Sequence, residues 1–315
     1  MEFGPQAIEI GNIQIRYYGL IIVAAILVAA SVAARLAKRD GKDPDHIWGA
    51  MFGAVILGII GARLWYVLFP PVSAVAAGRD TAWYLANFFN LDGGAIAIWT
   101  GGLHIFGAFL GGFLGAYIYL RQNKLKVLEW LDIAAVALPL AQFIGRFANY
   151  VNQELYGLPT GVSWWGLSIQ NQFRVDIADA AGKLYSNGVA YPLDGPTQAL
   201  FHPLFLYEGL LMLVVFFVLI RLFNTQRQSL KPGTIFFLYL ASYSGVRYAL
   251  EFLRIEVNLL RMYDAAGNVT SRINVSQFMA GVGFVFALIG LVPRWGAIQW
   301  GKVFGGEKPV VKKAA

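Results

Sequence analysis

The chain has 315 residues, of which 57% are hydrophobic and only 14% are charged. Soluble domains carry roughly 25% charged residues, so this composition excludes a large soluble core and indicates a polytopic membrane protein with the bilayer as a partner. The formal net charge of +7 is therefore assigned to loops, and we expect no nucleic-acid partner. The absence of cysteine excludes disulfides, thiolate catalysis and cysteine metal sites. Three histidines without paired ligand spacing predict no metal site, and we expect no cofactor.

Seven apolar runs of about 20 residues, enough to cross a bilayer, follow one another along the chain. They are placed at about 17–37, 47–69, 95–120, 130–150, 201–221, 233–253 and 275–294. The first run begins near Tyr17 without a cationic leader or a small-residue cleavage pattern, which favours a transmembrane helix over a removed signal peptide. We therefore predict an all-α integral membrane protein with about seven transmembrane helices in a single transmembrane domain, 1–315.

The distribution of lysine and arginine predicts the orientation of these helices. Fifteen of them fall in the loops and tail on one side, and seven fall on the other. The positive-inside rule places the first set in the cytoplasm, with the N-terminus in the periplasm and the C-terminus in the cytoplasm. Residues 70–94 then form an outer interfacial arm, and residues 151–200 form a small periplasmic head insertion with too few residues for much of a core.

Three arginines remain inside predicted spans, near their outer ends: Arg63, Arg146 and Arg247. An arginine at a helix centre costs about 2.5–3.5 kcal/mol on insertion scales, so it usually marks a functional site. Arg16, at the mouth of the first span, can join them. A snorkelling anchor remains open for Arg63 or Arg16. The polar residues expected to share a cavity with the arginines are Asn149, Glu154 and Glu251. Together they predict a site for an anionic substrate at the level of the outer leaflet.

The sixth span carries a polar face. Tyr243, Arg247 and Glu251 follow at intervals of four, and Arg254 follows Arg247 by seven, so all four lie on one side of a helix. This face is predicted to line the cavity. A purely structural ion pair between Arg247 and Glu251 is the alternative.

The third span has glycine at every fourth position, at Gly107, Gly111 and Gly115. This spacing is typical of closely packed membrane helices and indicates a tight bundle without indicating chemistry.

Six short motifs, in order along the chain, resemble the prolipoprotein diacylglyceryl transferase family. They are RYYGL at 16–20, GARLWYVLF at 61–69, WTGGL at 99–103, GRFANYVNQELYG at 145–157, HPLFLYE at 202–208 and RYALEFLR at 247–254. The resemblance covers most of the chain.

The resemblance implies transfer of the diacylglyceryl group of phosphatidylglycerol to the lipobox cysteine thiol of a prolipoprotein signal peptide, in the bacterial cytoplasmic (inner) membrane. It implies that Arg146 binds phosphatidylglycerol and that Arg247 is its partner in transfer. The expected catalytic residues are Arg146, Arg247, Glu154 and Glu251. The expected substrate-binding residues are Arg146, Asn149, Tyr18, Arg63, Tyr66, Gly157, His202, Tyr243 and Arg254.

The chain departs from the family pattern in the third span. Many members carry a histidine where this chain has Phe106, and Ala108 is also changed. Two residues on an α-helix turn a side chain by roughly 200°, so we expect His104 to point away from the family position and to pack between helices. A relocated base at His104 is the alternative. The acceptor of the thiol proton stays open among Glu154, Glu251, a tyrosine and water, and the outer loop 258–274 leaves acceptor recognition open.

Two other classes of protein are compatible with intramembrane arginines. A transporter or flippase of anionic lipids is expected to show internal repeats or broken helices in matching halves, which this sequence lacks. A receptor or assembly factor without catalysis gains little from Glu154 and Glu251 beside buried arginines.

Overall fold

The computed structural model describes residues 6–10, 13–71, 74–75, 77–170, 173, 177–178, 184–186, 189–191, 200–255, 259–263 and 269–304. The α-helices found there are α1 Tyr17–Arg39, α2 Asp45–Leu68, α3 Thr81–Ala86, α4 Ile105–Gln122, α5 Val127–Asn152, α6 Leu204–Gln226, α7 Thr234–Leu250, α8 Val275–Leu291 and α9 Trp300–Phe304. The protein is thus mainly helical, as predicted.

Four helices, α1, α2, α5 and α6, are long and apolar enough to cross a membrane, and α8 is a shorter apolar helix. The multi-pass membrane character predicted from composition is therefore confirmed. The helices α4 and α7 have 18 and 17 residues. A helix overlaps each of the seven predicted spans, while the number of membrane crossings stays a prediction.

The third predicted span, 95–120, becomes α-helical ten residues later than expected. A single 3₁₀ turn at Ile98–Thr100 precedes Gly101 and Gly102, whose φ angles are 90° and 69°. Positive φ is easily adopted by glycine and interrupts a right-handed helix, so α4 starts only at Ile105. This shift changes the setting of His104, as described below.

Small antiparallel sheets, which we did not predict, flank the helices. β1 (Ala7–Ile10) pairs with β2 (Ile13–Arg16) immediately before α1. Three short strands lie in the predicted head: β3 Ile177–Ala178, β4 Leu184–Ser186 and β5 Val189–Tyr191. β6 (Leu259–Tyr263) pairs with β7 (Val269–Asn274) between α7 and α8.

The chain forms two compact units, one of residues Val32–Trp130 and one of Met1–Ser31 with Leu131–Ala315. In the first unit, α2 and α4 pack backbone against backbone. A methyl group added at Gly107, Gly111 or Gly115 would overlap a backbone carbonyl oxygen of α2. The predicted close packing of the glycine stripe is therefore confirmed, because only a residue without a side chain allows this approach.

Gly111→Ala is expected to destabilise the first unit by about 1–3 kcal/mol, since overpacking forces the backbones apart. The neighbouring Gly112 is a matched control, because a methyl group there would stand 3.5 Å from the nearest atom, the carbonyl oxygen of Ala54. The measurement is the midpoint of thermal unfolding of purified protein in detergent. Equal midpoints for Gly111→Ala and Gly112→Ala would contradict the prediction.

In the second unit, a carboxylate of α5 caps the start of α7. Asp132 is 0% exposed, and its Oδ2 accepts from the backbone N–H of Gly233 at 2.8 Å while its Oδ1 accepts from that of Phe236 at 2.9 Å. Arg227 Nη1 lies 3.2 Å from Oδ2. Asp132 thus satisfies N–H groups at the helix start that have no intrahelical partner. It fixes the start of the helix that carries Tyr243 and Arg247.

Candidate active site

Arg146 lies in the second-last turn of α5 and faces α6. Its Nη2 donates to Oε1 of Glu208, which comes from the first turns of α6 and is 3% exposed. Its Nη1 donates to Oδ1 of Asn149 at 3.3 Å. An arginine that donates to a buried carboxylate and to a neighbouring amide oxygen is restricted in orientation, so its direction towards a ligand is set in advance.

Asn149 connects this pair to Glu154. The side chain of Asn149 is buried, and its Nδ2 donates to Oε1 of Glu154 at 2.9 Å. Glu154 lies in a turn just after α5, between Gln153 and Leu155, whose φ angles are 53° and 57°. Residues other than glycine rarely adopt positive φ, and such strain is concentrated at functional sites. The turn presents Glu154 beside the end of α5.

Arg247, Glu251 and Arg254 form a second charged group at the end of α7. Arg247 Nη2 lies 2.9 Å from Oε2 of Glu251, and Arg254 Nη1 lies 3.9 Å from the same oxygen. Asn274 Nδ2 donates to the other carboxylate oxygen at 3.2 Å. Glu251 is 2% exposed, so its carboxylate is almost wholly buried. The common face predicted for these residues is confirmed.

Tyr243 brings the two charged groups together. The hydroxyl of Tyr243, on α7, interacts electrostatically with Glu208 and Arg146. It also interacts with the charges of Arg247 and Arg254. Burial, followed by the charge of Arg247, lowers the pKa of the Arg254 guanidinium below its ordinary value. Positive charge is therefore crowded here. Three arginines lie beside two buried carboxylates here, and guanidinium groups bind phosphate through paired N–H donors.

Tyr18 lies in the first turn of α1, beside the same cluster. Its hydroxyl interacts electrostatically with the charges of Glu154 and Arg146. The sequence-predicted residues Tyr18, Arg146, Asn149 and Glu154 are thus brought together.

Gly157 and His202 lie where two chain segments cross. The N–H of Gly157 donates to the carbonyl of His202 at 2.9 Å, and Gly157 forms a β-bridge with Arg254. A methyl group on Gly157 would stand 2.7 Å from the Cβ of His202 and 2.8 Å from the carbonyl oxygen of Leu253, so only glycine fits. These contacts support an indirect role for Gly157, which positions the segment bearing Arg254.

The ring of His202 is held by a neighbouring hydroxyl. Its Nδ1 lies 3.1 Å from the hydroxyl of Tyr207, which also accepts from Nε1 of Trp165 at 2.8 Å. Burial lowers the pKa of His202 below its ordinary value of about 6.5.

Arg63 and Tyr66 belong to the other unit, where the guanidinium of Arg63 is engaged by backbone. Its N–H groups donate over 2.5–3.2 Å to the carbonyls of Gly94, Ala95, Gly101 and Gly102. Its charge also lies 5.6 Å from the ring centre of Tyr66 and 5.8 Å from that of Tyr84. These contacts support a structural role for Arg63, which ties down residues 94–102. The substrate-binding role that we expected stays a prediction.

The expected orientation of His104 is wrong. We placed His104 and Phe106 on one helix, where their side chains would diverge, but His104 is the N-cap of α4 and lies outside it. Its Nδ1 accepts from the N–H of Phe106 at 3.3 Å, and the two rings stack with centres 5.4 Å apart. The imidazole of His104 therefore lies beside the family position. The contacts of its ring with Trp65 and Phe106 support the packing role.

Sequence reasoning missed two residues of this site, Glu208 and Asn274. Glu208 ends the motif at 202–208, so its place in that motif was the available signal. Asn274 ends β7, in an outer loop whose sequence gave no indication of a site.

A multi-pass helical membrane protein with paired arginines at its helix ends is the class that this fold and site define. A profile of the family described as prolipoprotein diacylglyceryl transferase matches residues 5–293. A phosphatidylglycerol–prolipoprotein diacylglyceryl transferase of Chloroflexus aggregans is 36% identical over 280 residues, covering 87% of this chain and 83% of the relative. A protein of the same name from Trichormus variabilis is 35% identical over 286 residues, covering 90% of each chain. The chain belongs to the prolipoprotein diacylglyceryl transferase family.

Proposed function

We propose that this protein transfers the diacylglyceryl group of phosphatidylglycerol to the cysteine thiol of a prolipoprotein. The observation that carries the proposal is the cluster of three partly buried arginines, Arg146, Arg247 and Arg254, around Tyr243. Phosphatidylglycerol carries one phosphodiester group, which guanidinium groups can bind through paired N–H donors. The names of the relatives include both substrates.

In the proposed reaction, the sulfur of the acceptor attacks the terminal glycerol carbon of the diacylglyceryl group. The carbon–sulfur bond forms as the carbon–oxygen bond to phosphate breaks, and glycerol phosphate leaves with the bonding electrons. Negative charge grows on the departing phosphate, where preorganised donors act most strongly. Arg146 and Arg247 supply these donors; Glu208 accepts a hydrogen bond that orients Arg146, and Glu251 pairs with Arg247.

The thiol proton must also leave, because the thiolate is the nucleophile. Glu154 is the carboxylate best placed for this step, since it is only partly buried and is bonded to Asn149 beside Arg146. Glu251 is already shared by Arg247, Arg254 and Asn274. We therefore assign the thiol proton to Glu154, directly or through water.

The test uses purified protein in phosphatidylglycerol vesicles with a synthetic lipobox peptide, and the readout is the peptide mass. A mass gain equal to one diacylglyceryl group, with release of glycerol phosphate, supports the transferase. Movement of lipid between leaflets without an adduct would instead support a flippase. A peptide with serine in place of cysteine is the control and should gain no mass.

We further propose that the protein lies in the bacterial cytoplasmic membrane with residues 151–200 in the periplasm. The distribution of cationic residues supports this orientation. Single cysteines at Ser186 and Gln122 test it, because the chain has no other cysteine. An impermeant maleimide added to intact spheroplasts should label Ser186→Cys and leave Gln122→Cys unlabelled. The reverse pattern would invert the topology.

A further inference from the structure

A polar cavity of about 270 Å³ lies beside Glu154. Its lining comprises Gln6, Arg16, Asn152, Gln153, Glu154, Leu155, Tyr156, Phe173 and Ile255. Glu154 forms part of the cavity wall, and it also accepts a hydrogen bond from Asn149. Asn149 in turn bonds to Arg146. The cavity thus adjoins the arginine cluster through a side chain to which the proposed reaction assigns the thiol proton.

The cavity lies beyond the ends of the long helices. Arg16 precedes α1, Asn152 is the last residue of α5, and Ile255 follows the 3₁₀ turn at the end of α7. The ends of membrane-spanning helices lie at the membrane surface, where polar polypeptide is stable and acyl chains are not. The volume is also below the roughly 300–1,000 Å³ of pockets that hold a whole small molecule. The cavity therefore suits a short polar part of a substrate.

The walls of the cavity are fixed in place. Gln6 Nε2 donates to the carbonyl of Val151 at 3.3 Å, and Oε1 of Gln153 accepts from the N–H of Gln170 at 2.8 Å. Gln153 is 3% exposed. The hydrogen bond from Gln170 therefore anchors the turn at Gln153, where the backbone has a positive φ. A preformed polar wall lowers the cost of ordering a bound chain.

We propose that this cavity binds the acceptor polypeptide, taking the residues that directly follow its reactive cysteine. Side-chain amides at Gln6 and Asn152 can both donate and accept, which matches the alternating N–H and C=O groups of a peptide backbone. With its next residues in the cavity, the acceptor holds its sulfur beside Glu154 and faces the lipid bound by Arg146. A signal peptide has an apolar h-region, so the segment before the cysteine stays in the bilayer. This inference rests on the proposed function.

Disulfide trapping in this cysteine-free chain tests the cavity directly. Acceptor peptides carry serine at the reactive position and a single cysteine at successive positions after it. Gln6→Cys should form a disulfide with peptides whose cysteine lies in the first few positions. Ser163→Cys, exposed and outside the cavity lining, is the matched control and should not. Absence of the Gln6→Cys cross-link, or equal cross-linking of both variants, would overturn the proposal.

Kinetics provide an independent test. Asn152→Ala should raise the KM for the acceptor peptide at least tenfold and leave the KM for phosphatidylglycerol unchanged. A rise only in the KM for phosphatidylglycerol would overturn the proposal and assign the cavity to the lipid headgroup. The failure of the proposed function is distinguishable, because it would appear as absence of the diacylglyceryl adduct with the unsubstituted protein. Normal transfer without any cross-link would reject the acceptor cavity alone.

Discussion

Arg146→Ala is expected to lower the turnover of diacylglyceryl transfer by about 10²–10³-fold. Removing one donor to a developing negative charge costs about 2.7–4 kcal/mol, and Arg146 is the donor that Glu208 and Asn149 hold in place. Arg146→Lys should restore little, because lysine lacks the planar fork that binds phosphate through two N–H groups. The measurement is the rate of mass gain of a lipobox peptide at saturating phosphatidylglycerol.

A double substitution separates catalysis from charge balance. Arg146→Ala alone leaves the buried carboxylate of Glu208 without its cation, which is destabilising by itself. Adding Glu208→Gln removes that charge, so it should restore stability without restoring transfer. Arg121→Ala, at an exposed position at the end of α4, is the control and should behave as the unsubstituted protein. Recovery of transfer in the double variant would mean that Arg146 only neutralises Glu208.

The same reasoning applies to Arg247, for which a structural ion pair with Glu251 is the alternative. The two side chains do pair, at 2.9 Å, so the alternative is partly right about the contact. It leaves unexplained why Arg254 and Tyr243 share the site. A structural pair would tolerate Arg247→Lys, whereas a phosphate-binding guanidinium would not. Near-normal transfer by Arg247→Lys would therefore favour the structural reading.

Local periodicity predicted much of the site. The spacing of Arg247, Glu251 and Arg254 places them on one face whether the last turn is α-helical or 3₁₀, and the structure brings them together. Likewise Arg146 and Asn149 are three residues apart on α5 and bond to one another. Contacts of this range follow from helix geometry alone, which is why the sequence was sufficient to find them.

Contacts between distant segments could not be predicted in this way. The partner of Arg146 is Glu208, 62 residues away, and no periodicity links them. Arg63 bonds to backbone carbonyls, which any sequence at 94–102 would provide, so its partners leave no signature. The orientation of His104 depended on where α4 begins, and helix boundaries are the least reliable part of a sequence-based assignment.

Asp132→Ala is expected to lower the free energy of unfolding by about 3–5 kcal/mol. The substitution removes a fully buried carboxylate and leaves the cation of Arg227 without this partner. It also leaves the N–H groups of Gly233 and Phe236 without their acceptor at the start of α7. The measurement is the thermal unfolding midpoint in detergent.

Glu129→Ala is the matched control, one turn earlier on α5. Glu129 pairs with Lys42 at 3.1 Å and Lys126 at 3.2 Å, but its side chain is 20% exposed, so water screens both pairs. Pairs of this kind contribute about 0–1 kcal/mol, and the midpoint should fall much less than in Asp132→Ala. Asp132→Asn should lie between the two, because the amide oxygen still accepts from one N–H while the charge that faces Arg227 is lost. Equal midpoints for Asp132→Ala and Glu129→Ala would show that Asp132 does not fix the start of α7.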